Sequence, residues 1–276
     1  MKIAVLNSSG NVGKSTITKE LIYPRLESPL IVEVESYNDS NINNKNLNIT
    51  KYDVESEIDH LYLKMLETEN VIVDIGASNI SQFFDKVIAF EGFLTVFDYF
   101  VIPSVSGDTK IIKDTIKTIN FLLSLGVENQ KIKVILNKVK SNPEIEFDIL
   151  LKNSPVEIDT KNFIKESKLF SDLALLKTDI GSIFNPDLDF YKPQIIAAAT
   201  PQEKMRLIKM DMSNRLSHTI AKKMDEIFEN IFNEIPISLF SSFSQAKKET
   251  SPKKLEKDLK EEDLEEDLDL ENGEDF

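Results

Sequence analysis

Apolar and polar stretches alternate along this chain in a way that separates short buried strands from amphipathic helices. Residues 2–6 (KIAVL), 29–35 (PLIVEVE), 70–75 (NVIVDI), 99–105 (YFVIPSV) and 131–139 (KIKVILNKV) are compact apolar runs of strand length, rich in β-branched residues. Between them lie helical patterns at 17–26 (ITKELIYPRL), 54–67, 80–90 and 108–125, the last opened by Asp108-Thr109 and stopped at Gly126. Five rounds of strand and helix predict an α/β fold, a mostly parallel doubly wound sheet covered on both faces. Ligand then belongs at the carboxyl ends of the strands. The Asn-rich segment 40–50 (SNINNKNLNIT) reads as a loop or short excursion. Residues 156–176 read as a short extended entry followed by one or two helices, with Glu166, Ser167 and Phe170 placed to close one side of a pocket. Residues 201–232 carry a long helical face expected to pack on the sheet domain or on a partner subunit, and the apolar patch 235–243 (IPISLFSSF) is expected to pack against the body.

Composition narrows the picture. The chain has 276 residues, 41% of them hydrophobic, enough for one sizeable α/β domain with extensions. It has no cysteine, which excludes disulfides, thiolate metal sites and thiol nucleophiles. Its two histidines, His60 and His218, are far apart and read as helix-surface residues. The N-terminus enters a strand at once and no apolar run reaches membrane-spanning length, so a cytoplasmic protein without transmembrane anchoring is expected. Net charge is −14, but thirteen acidic and six basic side chains lie from Lys247 onward, so half the excess belongs to the last thirty residues. Residues 261–276 hold ten acidic and no basic side chains, the composition of a disordered acidic tail. The body is only mildly acidic and its composition gives little support for the basic face that direct nucleic-acid binding needs, local patches aside, so little such binding is expected.

The chemistry is concentrated after the first strand. Ser9-Gly10-Asn11-Val12-Gly13-Lys14-Ser15-Thr16 joins a buried strand to a helical pattern, the context of a phosphate-cradling P-loop. Such a loop turns backbone N–H groups inward at a helix N-terminus. Lys14 would reach the β- and γ-phosphates and the Ser15 hydroxyl would ligate Mg²⁺. The general motif has glycine at position 8, where this chain has Ser8. Asp74, at the carboxyl end of an apolar strand, is the counterpart that holds Mg²⁺ directly or through water. Asn137-Lys138-Val139-Lys140 lacks the aspartate of guanine-selective Asn-Lys-x-Asp motifs, which favours ATP. Asn137 either borders the base or caps its strand.

KIAVLNSSGNVGKST, the VEVES end of the second strand and IVIVDIGAS resemble the deviant Walker A ATPases of the ParA/MinD class. The opening block and PVEIDTKNFIKESKLFSDLA resemble StbB plasmid-stability proteins of that class, over roughly residues 1–235. The resemblance implies a P-loop ATPase domain with C-terminal helices over 1–235, an apolar linker over 236–245 and a disordered acidic tail over 246–276. It implies ATP and Mg²⁺ as cofactors, a nucleotide-dependent homodimer, and a role in plasmid stability, partition or positioning of DNA through a separate DNA-binding partner. By position, Gly10 to Thr16 cradle phosphate, Lys14 neutralises it, Ser15 and Asp74 serve Mg²⁺, and Glu35 orients the attacking water. The lysine that reaches across the dimer in this class falls at Ser9, so a slow Mg²⁺-dependent ATPase is expected, or one that borrows a cation such as Lys110, Lys138 or Lys140. Two other functions fit the sequence: a nucleotide-binding scaffold with little or no hydrolysis, and a metabolic P-loop enzyme.

Overall fold

A computed structural model describes residues 1–34, 47–53, 57–90, 92–166 and 187–233. All lie in one unit, Met1–Pro236. Glu35, Ser167, Phe170, the linker 236–245 and the acidic tail 246–276 fall outside the described residues.

Seven strands form one sheet, every pair of neighbours parallel. In chain order they are β1 (Lys2–Val5), β2 (Leu30–Val34), β3 (Ile49–Tyr52), β4 (Val71–Ile75), β5 (Tyr99–Val105), β6 (Ile132–Val139) and β7 (Phe163–Lys165). Across the sheet the order is β3-β2-β4-β1-β5-β6-β7. The five strands expected from continuous apolar runs are the five central ones. The two edge strands differ from expectation. β3 occupies the end of the stretch read as an Asn-rich loop, and β7 lies inside the stretch read as an extended entry and helices. An edge strand pairs on one side only, and β3 (ITKY) is half-buried at Ile49, Thr50 and Tyr52 with Lys51 exposed, so neither carries a long apolar run.

Among the described residues the α-helices are α1 (Lys14–Thr16), α2 (Ile58–Glu67), α3 (Ile80–Ala89), α4 (Thr109–Ser124), α5 (Pro143–Glu146), α6 (Asp148–Asn153), α7 (Lys192–Ala197) and α8 (Pro201–Phe232). The helical pattern expected over 17–26 continues from α1 as a π-helical segment, Ile17–Ile22, and a 3₁₀ turn, Tyr23–Arg25. Along the strands side chains alternate between two cores, up to the register shift at the end of β6. Ala4, Val32, Val73, Phe100 and Leu136 face one, with Leu61 and Met65 of α2, Phe83 and Phe84 of α3, Ile119 and Leu122 of α4 and Leu150 of α6. Ile3, Val5, Ile31, Ile72, Val101 and Ile135 face the other, with Ile17, Leu21 and Ile22 after the loop.

The direction of each crossover explains which face its helix covers. The connections through α2, α3, α4 and α5–α6 all run from the β3 edge toward the β7 edge. That from β1 to β2 runs the opposite way. With one hand of crossover, reversing direction moves the helix to the other face. Among the described residues the second face receives the helix after β1 and the C-terminal half of α8, through Met224, Ile227, Phe228, Ile231 and Phe232. Removing such side chains from water contributes about 1.5–3 kcal/mol each, an upper estimate. α8 is capped at its start, where the Thr200 hydroxyl accepts the Glu203 N–H and the Glu203 carboxylate accepts the Ala199 N–H. Its N-terminal half projects Met205 and Met212 into solvent. Among the described residues no helix is long and apolar enough to cross a membrane.

Candidate phosphate-binding site

β1 lies where the crossover direction reverses, between β4 and β5. The loop that follows it, ending at Gly13, thus opens at the carboxyl edge of the sheet, where a parallel α/β sheet has its crevice. Gly13 has φ +92°, and a Cβ there would lie 2.3 Å from Asn137 Nδ2, so both the backbone and the space require glycine. Gly13 is also the N-cap of α1, and no side chain caps that first turn.

Three consecutive loop residues are held by one face of α4. The buried Asn7 amide donates to the Pro103 carbonyl (2.8 Å) and the Thr115 hydroxyl (3.0 Å), while its Oδ1 accepts the Ser9 N–H (2.8 Å). Ser8 meets the Thr118 hydroxyl through its N–H (3.3 Å) and its own hydroxyl (2.9 Å). Ser9 Oγ donates to Asp114 Oδ2 at 2.7 Å. Thr115 and Thr118 are themselves anchored, each donating to the carbonyl one turn back.

The far side of the loop rests on the end of β6. Asn137 Nδ2 donates to the Val12 carbonyl (2.8 Å), and its Oδ1 accepts the Lys138 N–H (2.9 Å). Lys138, at φ +55°, brings Nζ to the Asn11 carbonyl (3.3 Å). Asn137 is therefore turned beneath the loop. Replacing it with alanine should cost about 1–2 kcal/mol in urea unfolding, because it leaves buried carbonyl surface unpaired. Gly13→Ala should also be destabilising, and part of its penalty should disappear in the Asn137→Ala background. The part due to positive φ, about 1–2 kcal/mol, should persist.

Lys14 is buried and folds back over the loop, Nζ donating to the carbonyls of Ser9 (3.1 Å) and Asn7 (3.4 Å). Asp74 lies opposite Val5 of β1 and Glu33 of β2. Burial pushes its carboxyl up to about 6; the hydrogen bond from the Ser15 hydroxyl and the charge of Lys14 oppose the rise, and Glu33 adds to it. Glu33 is paired with Lys19 at 2.8 Å. Thr16 is half-buried in α1. Lys110 and Lys140 are exposed, and Lys140 approaches Glu166 at 3.9 Å.

The loop after β6 is organised by Glu146. Burial pushes its carboxyl up, but the N–H groups of Lys140 and Ser141 and the hydroxyls of Ser106 and Ser141 outweigh that and hold it at about 2. Sequence reasoning did not single out Asp114, Thr115, Thr118 or Glu146. A signal was present in α4, where Thr115 and Thr118 interrupt the otherwise apolar buried stripe of Ile112, Ile119 and Leu122.

Of the expected site residues, the structure gathers Ser9 to Thr16, Asp74 and Asn137 at one edge. The Ser15 hydroxyl acts to lower the pKa of Asp74 against its burial, and the two supply a hydroxyl and a carboxylate of the kind a hard cation takes. Among the described residues there is no group of three acidic or histidine side chains placed to hold a metal. Mg²⁺ keeps most of its water and needs only one or two protein ligands, so the donor set fits it.

No protein-family model matches the chain, and comparison with curated proteins finds no match. Among solved structures the chain is similar to a ParA family ATPase from Chlorobium tepidum TLS, with 13% identity and a TM-score of 0.47, covering 76% of this chain and 98% of that one. It is also similar to a proposed plasmid partition protein from Borrelia burgdorferi B31 bound to AMPPNP, with 15% identity and a TM-score of 0.42, covering 76% of this chain and 98% of that one.

Proposed function

We propose that this chain is a ParA/MinD-like ATP-binding switch and a slow Mg²⁺-dependent ATPase. The observation that carries the reading is the Ser9–Thr16 loop at the crossover reversal, with Lys14 folded over it and the buried carboxylate of Asp74 at the end of the adjacent strand. Lys14 exchanges its two loop carbonyls for the β- and γ-phosphates, and the first-turn N–H groups of α1 face the same anion. Ser15 and Asp74 would hold Mg²⁺, which would supply positive charge against the phosphates. Glu35 orients the attacking water. The DNA-segregation setting, with a nucleotide-dependent homodimer and a separate DNA-binding partner, rests on the sequence resemblance of the opening block and the VEVES and IVIVDIGAS segments.

One observation favours a second reading, a nucleotide-binding scaffold with little turnover. The Ser9 hydroxyl is engaged within its own chain by Asp114, and a serine supplies no cation to a partner's nucleotide. Charge stabilisation of the transferring phosphoryl group in trans is worth about 10³–10⁵ in rate where it occurs.

Binding of mant-ATP and release of phosphate, with and without Mg²⁺, test both readings. Lys14→Ala should weaken mant-ATP binding at least about tenfold, the loss of one charge-assisted phosphate contact. Turnover abolished by Lys14→Ala supports the switch. Mg²⁺-dependent binding with no phosphate release supports the scaffold, and no binding in the parent chain excludes both.

A further inference from the structure

The polar inner face of α4 is used up in holding the loop, and its outer face has a composition of its own. Lys110, Lys113 and Lys117 are exposed and spaced i, i+3, i+7, which places them in one row along the helix. Among the described residues, neither Lys110 nor Lys113 has a carboxylate within ion-pair distance. Lys117 reaches only Asp114, at 4.0 Å, and that carboxylate already accepts the Ser9 hydroxyl. The row ends on Phe121, 39% exposed and edge-on to Phe84 of α3. Among the described residues this row carries three lysines with one carboxylate at its margin, and it is closed by an aromatic ring.

We infer that the outer face of α4 is a docking surface for an acidic peptide segment of a partner protein, and that its affinity is linked to the loop through the Asp114–Ser9 hydrogen bond. The surface fits a short acidic segment better than a nucleic acid. The row spans about 10 Å, seven helical residues, whereas a duplex takes its affinity from neutralising many phosphates over a broad basic face. Phe121 offers an apolar contact to a side chain such as leucine, which a sugar-phosphate backbone lacks. The linkage follows from the same bonds that fix the loop. Ser9 gives its carbonyl to Lys14 and its hydroxyl to Asp114. When Lys14 turns to a phosphate, the Ser9 carbonyl loses its cation while its side chain stays tied to α4. A change at the loop is thereby delivered to the helix that carries the lysine row, and a ligand on the row acts back on the loop. This coupling rests on the nucleotide reading of the loop; the surface itself does not.

The test uses the full chain and a fluorescein-labelled peptide of repeating Glu-Glu-Leu-Asp, titrated with and without saturating mant-ATP and Mg²⁺. The charge reversal Lys113→Glu/Lys117→Glu should weaken the peptide about tenfold, with a reduced salt dependence, and leave mant-ATP binding unchanged. Saturation with mant-ATP should change peptide affinity about fivefold or more. Ser9→Ala and Asp114→Ala should each abolish that change while peptide binding itself persists. Peptide affinity indifferent to the charge reversal would overturn the surface. An unlabelled DNA duplex displacing the peptide at lower concentration than unlabelled peptide does would overturn the acidic partner in favour of nucleic acid. Mant-ATP that binds without moving peptide affinity overturns the coupling alone, and absence of mant-ATP binding overturns the coupling together with the reading of the loop.

Discussion

Arg25→Met should destabilise the chain by about 3–5 kcal/mol, the typical effect of removing one member of a buried ion pair. Arg25 is 2% exposed at the end of the helix after the loop. Its Nε donates to Asp225 of α8 at 2.7 Å, and its two terminal nitrogens donate to the carbonyls of Glu20, Leu21 and Ala221, each at 3.0 Å. Methionine fills part of the volume but removes the Nε donor of the Asp225 carboxylate and the hydrogen bonds to the Glu20, Leu21 and Ala221 carbonyls. Burial lowers the pKa of Arg25 and raises that of Asp225, in each case against the pull of the partner's charge. Desolvation is therefore the larger effect on both groups, and the pair as a whole stabilises less than the loss of one member suggests. The double variant Arg25→Met/Asp225→Leu should recover at least half of the loss in urea unfolding. A double variant as unstable as the single one would show that the carbonyl contacts, not the stranded charge, set the effect.

Asp74→Asn should make the nucleotide-free chain more stable at pH 8 and remove its response to Mg²⁺. The Asp74 carboxyl is raised from 3.8 to about 6 in the folded chain. Below pH 4 the group is protonated in both states and has no effect on stability. Between about pH 4 and 6 the folded chain binds the extra proton, so stability falls as pH rises through that window. Above it the buried carboxylate weighs against folding by about 2–3 kcal/mol. The amide carries no such penalty, so the urea midpoints of parent and variant should diverge between pH 4 and 6 and stay apart at pH 8. A gap of equal size at pH 4 would assign the effect to something other than ionisation. On the proposed reading, a divalent cation at Ser15 and Asp74 would favour the charged form and offset the same penalty. The Mg²⁺-dependent part of mant-ATP binding should therefore vanish in the variant.

The parts of the fold visible in the sequence are those where one physical constraint acts alone. The five central strands are buried on both faces, and continuous runs such as NVIVDI and KIKVILNKV follow directly. β3 and β7 are short edge strands whose ITKY and FIK match loop or helix patterns equally well. The loop was visible because glycine at position 13, then Lys14 and Ser15, follow a buried strand within a few residues. Its supports were not, because they lie far along the chain. Asp114 is 105 residues from Ser9, and Asn137 is 125 residues from Val12. Nothing local to Asn137 says whether its amide faces a base or the underside of the loop. That is decided by the register of β6 against β5 and by the absence of a side chain at Gly13. In Asp74 the sequence showed the residue and its place at a strand end. The proton affinity comes from burial, which only the packed sheet defines.

The contact between Arg25 and Asp225 spans 200 residues of chain. A ribosome adding about 5–20 residues per second takes roughly 10–40 s to cover that distance. Throughout that interval the guanidinium that will sit 2% exposed behind the loop has no carboxylate, and the second face of the sheet has no Phe228 or Phe232 to cover it. The segment that carries the Ser9–Thr16 loop is thus synthesised well before α8, and it cannot reach its final packing until that helix has emerged.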